Sequence, residues 1–168
     1  MIARFKKKNT GFTLIELMIT VVLASVVISL GVPSFQALLR NNHLSTATNN
    51  FISSINVARS EAIKRREKIS VTATNSSESA NEWGKGGWTI KVVDGGEVLK
   101  TIPAIQGIDI TMNSTTGIVE FEYSADGSVD NPDTLNVCAA GFASGRQITI
   151  ITTGRVSVNS DYNSCPES

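Results

Sequence analysis

Apolar and polar positions divide the chain into three regimes. From Phe12 to Val32 the residues are almost uniformly apolar, Glu16 being the only charged side chain. A helix of that length is roughly 31 Å long, the thickness of a bilayer's hydrocarbon core, so the run predicts one membrane-spanning helix. The pattern changes at Gly31 and Pro33. A proline inside a helix removes a hydrogen bond and crowds the preceding turn, which predicts a kink or local melting at Pro33, with a plain helix end as the alternative. From Leu44 to Ile63, Leu44, Ala47, Phe51, Ile55, Ala58 and Ala62 recur mostly three or four apart and draw one stripe on a helix whose other face is Asn, Ser and Arg. A helix from Phe12 to about Lys68 would be roughly 85 Å long, and its second half needs a sheet to cover the stripe.

The third regime is short and β-rich. Strands are predicted at Ile69–Thr74, Trp88–Val93, Val98–Ile102, Ile108–Met112, Ile118–Tyr123, Leu135–Ala139, Gln147–Ile151 and Arg155–Val158. They are separated by turn signals such as Asp94-Gly95-Gly96, Asp126-Gly127 and Thr153-Gly154, and Asn75–Glu82 reads as a polar loop. A long helix followed only by strands predicts an α+β chain, the helix packed on an antiparallel β-sheet head.

Composition narrows the class. The 168 residues carry 15 basic and 15 acidic side chains and are 41% hydrophobic, which bounds the chain at one domain plus an appendage. Those values exclude a wholly basic nucleic-acid binder, a disordered region and a multi-span membrane protein. The neutral total hides unlike pieces. Residues 1–11 hold Arg4, Lys6, Lys7 and Lys8 and no acid, whereas residues 69–168 hold five basic against twelve acidic side chains, a net of −7. The basic leader places the amino terminus in the cytoplasm by the positive-inside rule.

Two ordinary explanations of the apolar run fit poorly. A removable signal peptide has a shorter apolar core and a small-x-small cleavage site, and here Pro33-Ser34-Phe35-Gln36 follows. An ordinary anchor leaves Glu16 unexplained, because a carboxylate in hydrocarbon costs several kcal/mol unless it is protonated or paired. A cut after Gly11 would supply the partner: the new α-amine of Phe12 lies about 6 Å along the axis from Glu16, at i, i+4, or meets the Glu16 of a neighbouring chain.

Lys6-Lys7-Lys8-Asn9-Thr10-Gly11 followed by Phe12-Thr13-Leu14-Ile15-Glu16-Leu17 resembles the leader of type IV prepilins and pseudopilins. The resemblance implies that a membrane-embedded prepilin peptidase/methyltransferase cuts between Gly11 and Phe12 and methylates Phe12, that Glu16 serves in assembly, and that the helix loosens around Pro33 in the filament. Val57–Arg66, Gly87-Trp88-Thr89-Ile90, Ile118–Phe121 ahead of Asp126-Gly127, and Gly154-Arg155-Val156 resemble the GspH/FimT/FimU branch of minor pilins and pseudopilins. The implied fold is the type IV pilin fold, divided into a cleaved leader (1–11), a membrane or filament-core half of the helix (12–35), its amphipathic half (36–68) and a β-rich head (69–168). The implied setting is the bacterial inner membrane with the head periplasmic, then the filament. The implied partners are the peptidase, other minor pilins, the major pilin and the inner-membrane assembly platform, and the expected role is priming assembly and capping the tip of a type IV pilus. The pseudopilin of the H type in a type II secretion system is the alternative.

Candidate chemistry is sparse. An exported location favours a disulfide between Cys138 and Cys165 over two free thiols, and closing that loop stabilises by about 3.5 kcal/mol on a chain-entropy argument. Disulfide-bearing minor pilins point the same way and favour the pilus over the secretion system. His43 is the single histidine, so no metal cluster or Ser-His-Asp relay forms around a second one, and it is expected to face water. Glu120 and Glu122 share a strand face and read as a solvated surface. No catalytic residue, metal or cofactor is expected, and the chain reads as a structural subunit and not an enzyme.

Lys64, Arg65, Arg66 and Lys68 suit a helix carboxyl end, with a phosphate-binding patch as the functional alternative. Resemblance to DNA-uptake members of the family, which carry a Gly-Arg-x-Arg motif, makes Arg146, Gly154 and Arg155 candidate DNA contacts. The corresponding stretch is Gly154-Arg155-Val156-Ser157, without the second arginine, and the acidic head opposes a polyanion.

Overall fold

A computed structural model describes residues 12–75, 83–105 and 110–165. The leader, and with it Gly11, lies outside the described residues, as do 76–82 of the expected polar loop. The chain divides into two units after Leu39.

In the first unit the chain is helical from Leu14, and residues 12–39 are exposed throughout. The helix, α1 (Leu14–Arg65), contains Pro33 and does not end there. The plain helix end weighed as the alternative at Pro33 is therefore not what the structure shows: the turns on either side of the proline are helical.

In the second unit α1 buries one stripe. Leu44, Ala47, Phe51, Ile55, Ala58 and Ala62 are all buried, joined by Thr48 and Ser54. The Phe51 ring meets Trp83, Trp88 and Phe121 edge-on, with centroids 5.2, 5.3 and 6.2 Å away. Burying a side chain of this size contributes about 2–3 kcal/mol. The helix stops at Arg65 because Arg66 turns left-handed, φ 59°, a conformation that closes a helix end even without glycine.

The eight strands are β1 (Ile69–Ala73), β2 (Trp88–Val92), β3 (Val98–Ile102), β4 (Ile110–Ser114), β5 (Glu120–Tyr123), β6 (Asp133–Ala139), β7 (Gly145–Ile150) and β8 (Val156–Tyr162). They form two four-stranded antiparallel sheets, ordered β3-β2-β1-β5 and β4-β6-β7-β8, where one sheet was expected. Register keeps one face of each apolar: Val71 pairs with Ile90 and Phe121, and Leu135 with Ile148. These side chains and the helical stripe form a common core.

Asp133, at the start of β6, is an acid in that core's margin. It is 7% exposed and accepts hydrogen bonds from the Ser114 and Thr115 hydroxyls, the latter at 2.8 Å. Ser114 Oγ in turn accepts from the Ile118 N–H at 2.7 Å, so the acid organises the β4–β5 turn. Burial alone would raise its pKa, but the hydrogen bonds outweigh burial and hold it below the ordinary 3.8. A depressed folded-state pKa stabilises the fold above the ordinary value, and the contribution is lost as pH falls through the folded one. Asp133→Asn should therefore lower stability at neutral pH by about 1–3 kcal/mol and flatten the loss of stability below pH 4. Thermal unfolding followed by the fluorescence of buried Trp83 and Trp88 at neutral and acid pH measures both effects.

Candidate functional site

The amino-terminal site is built by the first turn of α1. Phe12 is 87% exposed. The Thr13 N–H and hydroxyl donate to Glu16 Oε2 at 2.8 and 2.9 Å, and the Glu16 N–H donates to Thr13 Oγ1 at 3.3 Å. This reciprocal pattern is a capping box, in which Thr13 caps the helix and Glu16 reaches back to satisfy a donor that otherwise has no partner. The carboxylate therefore already points at the nitrogen end of the chain, one residue from the Phe12 nitrogen. The Thr-x-x-Glu spacing ahead of an apolar run carries this signal in the sequence, beside the assembly and charge-pairing role expected of Glu16.

In the head, segments distant in sequence meet at two glycines. Arg59 Nε, from α1, donates to the Gly127 carbonyl at 3.1 Å. Gly127 lies in the β5–β6 connection with φ +80° and Gly154 in the β7–β8 turn with φ +73°. A Cβ on Gly154 would overlap the Gly127 oxygen and lie 3.0 Å from Tyr123 Cε1 and 3.3 Å from Arg59 Nε. The Val129 N–H donates to the Thr152 carbonyl at 2.9 Å, tying the two connections together. Burial pushes the Tyr123 hydroxyl up to about 12, partly opposed by the Arg59 charge. The helix-to-strand segment, Asp126-Gly127 and Gly154-Arg155 thus form one structural junction, in which Gly154 is buried and Arg155 is exposed.

The other candidates are separated by the fold. Arg146 Nη2 donates to Ser45 Oγ on α1 at 2.8 Å. Ile150 pairs with Val156 and the Ile151 N–H donates to the Arg155 carbonyl, so Arg146 and Arg155 stand about five residues, roughly 17 Å, apart along the sheet. Arg146, Gly154 and Arg155 do not form one cationic surface. At the helix end, three of the four basic residues are paired with acids, Lys64 with Glu61, Arg65 with Glu61 and Glu97, and Lys68 with Glu122 and Asp130, and Arg66 is exposed. Glu120 accepts from Thr72 at 2.9 Å and lies 3.7 Å from Lys91, so Glu120 and Glu122 are a half-buried paired array and not a free solvated face.

His43 is half-buried and does not simply face water. It lines a cavity of about 280 Å³ with Asn50, Trp88 and Ile102–Ile105. Cys138 and Cys165 are joined in a disulfide. Among the described residues, no group of three or more His, Cys, Asp or Glu is placed to hold a metal ion.

Comparison with known proteins agrees with this arrangement. A family model described as Type II transport protein GspH matches residues 47–154, and one described as Prokaryotic N-terminal methylation motif matches residues 6–32. No curated protein sequence matches the chain significantly. Among solved structures, the type IV minor pilin FimU of Pseudomonas aeruginosa strain PAO1 in space group P21 is similar at 24% identity and a TM-score of 0.62, covering 73% of this chain and 92% of that one. Its P65 crystal form is similar at 24% identity and a TM-score of 0.55, covering 68% and 91%. At that identity the likeness shows the fold, whereas the GspH match spans well over half of the chain. With its apolar amino-terminal helix, methylation motif and disulfide-bonded head, the chain belongs to the GspH family and shares the fold of the minor pilin FimU.

Proposed function

We propose that the chain is a structural subunit of a type IV pilus, a minor pilin that helps to prime assembly and occupies the tip complex. It is cut between Gly11 and Phe12, methylated on Phe12, and held in the inner membrane with its amino terminus cytoplasmic and its head periplasmic until it is extracted into the filament. The observation that carries the reading is the sharp division along α1: residues 12–39 are exposed and apolar, and the stripe from Leu44 is buried in the head. A surface such as 12–39 requires lipid or other apolar helices as its surroundings. The physical step is transfer of that helix from bilayer to helix bundle, with Glu16 matched to a terminal amine.

Membership of the GspH family, a family of type II transport proteins, supports a second reading, the H-type pseudopilin of a type II secretion system. Cross-linking in the native bacterium followed by mass spectrometry separates them. Links to the major pilin and other minor pilins support the pilus, and links to secretion pseudopilins alone replace it with the second reading. The same spectra are expected to show a chain starting at Phe12 and carrying one added methyl group. An intact leader in membranes that contain active peptidase would reject processing.

A further inference from the structure

Tertiary support for α1 begins abruptly. Residues 12–39 are all exposed, and Leu44 is the first buried residue of the helix. The guanidinium of Arg40 lies 3.1 Å from the centroid of the Phe142 ring. One turn further on, Ser45 Oγ accepts from Arg146 at 2.8 Å. Phe142 lies in the β6–β7 connection and Arg146 is the second residue of β7, so two side chains four residues apart grip two successive turns of the helix.

That stretch is fixed from behind by the disulfide. Cys138 lies near the end of β6, and the Cys165 N–H donates to the Ala143 carbonyl at 3.0 Å. The Phe142 N–H donates to the Ala139 carbonyl at 3.3 Å, closing the turn that presents the ring. Gly145 has no room for a Cβ, which would overlap Cys165 Sγ and lie 2.5 Å from the Val137 oxygen. The Phe142 ring is itself 38% exposed, so its contact with Arg40, not core burial, accounts for its placement.

We propose that the β6–β7 connection together with the start of β7, residues 139–146, is a clamp that sets where the supported part of α1 begins, and that the Cys138–Cys165 disulfide holds the clamp closed. An unsupported helix opens from its weak points, and Pro33 with Gly31 beside it is the weak point in this one. Opening that spreads from Pro33 toward the carboxyl end meets its first tertiary contact at Arg40, followed within about one turn by buried Leu44 and by Ser45, and stops there. The clamp operates in a pilus or a secretion filament alike, so its failure and the failure of the pilus reading are separate results.

Backbone hydrogen exchange on the full-length protein in detergent micelles tests it. In the wild type, protection should rise steeply between residues 40 and 48. Arg40→Ala and Phe142→Ala should each speed exchange across 40–48 by about tenfold, the effect of removing a partly desolvated cation–π contact, with residues 51–62 unchanged. Reducing the disulfide, or replacing Cys138 and Cys165 by serine, should loosen the same 40–48 window, and Arg40→Ala should then add little. Unchanged exchange over 40–48 in Arg40→Ala overturns the proposal. So does acceleration spread equally through 51–62 and the sheets, which marks global destabilisation, or a reduced protein that loosens only near its carboxyl end.

Discussion

Replacing Glu16 by alanine is expected to leave processing at Gly11/Phe12 intact and to reduce recovery of the chain in filaments by about tenfold or more. The size follows from the cost of an unpaired ionised group among apolar helices, several kcal/mol, set against 1.4 kcal/mol per tenfold change. The capping box splits this expectation into two separable parts. Glu16 Oε2 already accepts from both the N–H and the hydroxyl of Thr13, so the carboxylate keeps hydrogen-bond partners before any cut is made. The proposed cleavage would then add the Phe12 amine beside it, or in reach of a neighbour's Glu16. Glu16→Gln retains an oxygen for the Thr13 donors and removes the charge. If charge pairing drives assembly, Gln fails as badly as Ala; if helix capping suffices, Gln restores filaments. Thr13→Val removes only the hydroxyl bond and should cost far less than either. The processed and intact forms on an immunoblot of membranes, with the amount recovered in sheared filaments, give both readouts, and normal assembly by Glu16→Ala would end the charge-pairing idea.

Periodicity carried most of the fold. All six apolar residues assigned to the helical stripe are buried, because a 3.6-residue repeat leaves little freedom about which face meets the core. Each of the eight predicted strands overlaps an observed one, and the shifts occur where pairing is set by backbone and not by apolar side chains. β8 continues to Tyr162 through Asn159-Ser160-Asp161, an exposed edge with no hydrophobic alternation to mark it. β6 begins at Asp133, two residues before its first apolar position, because hydrogen bonds from Ser114 and Thr115 compensate the acid. The division into two sheets was illegible, since strand order depends on pairings between segments far apart in sequence.

Site residues were legible as motifs more than as geometry. The spacing of Glu16 from Gly11 and Phe12 is visible in the sequence, whereas its hydrogen bonds with Thr13 depend on the geometry of the first helical turn. The sequence shows the charge of Arg146, whereas its partner Ser45 lies 101 residues away and is brought to it only by the fold. Arg155 remains exposed, and it gives Gly154 a useful control.

Gly154→Ala is expected to destabilise the head by about 3 kcal/mol or more, whereas Arg155→Ala changes stability by no more than about 0.5 kcal/mol. Two independent costs add at Gly154. Its φ of +73° is a backbone conformation that side chains disfavour. A Cβ there would also overlap the Gly127 carbonyl, the same oxygen that accepts from Arg59 Nε. That oxygen has little freedom to retreat, because Gly127 is itself at φ +80° and its own Cβ position lies 2.8 Å from Ile63 Cδ1. Relief therefore requires displacing the β7–β8 turn, which also breaks the Val129 bond to Thr152. The closeness of Tyr123 supplies a local reporter: loosening the junction admits water to a hydroxyl whose pKa burial holds near 12, so its ionisation should move down toward the ordinary 10.0 in Gly154→Ala. Ultraviolet titration of the tyrosines and thermal unfolding of the full-length protein in detergent measure the two effects together. Equal stability of Gly154→Ala and wild type would show that the turn can open without cost, and the convergence of α1 with the two connections would then be incidental to the fold. A severe loss with Arg155→Ala silent assigns the glycine of the Gly-Arg pair to architecture and leaves only its exposed arginine available for contact with another molecule.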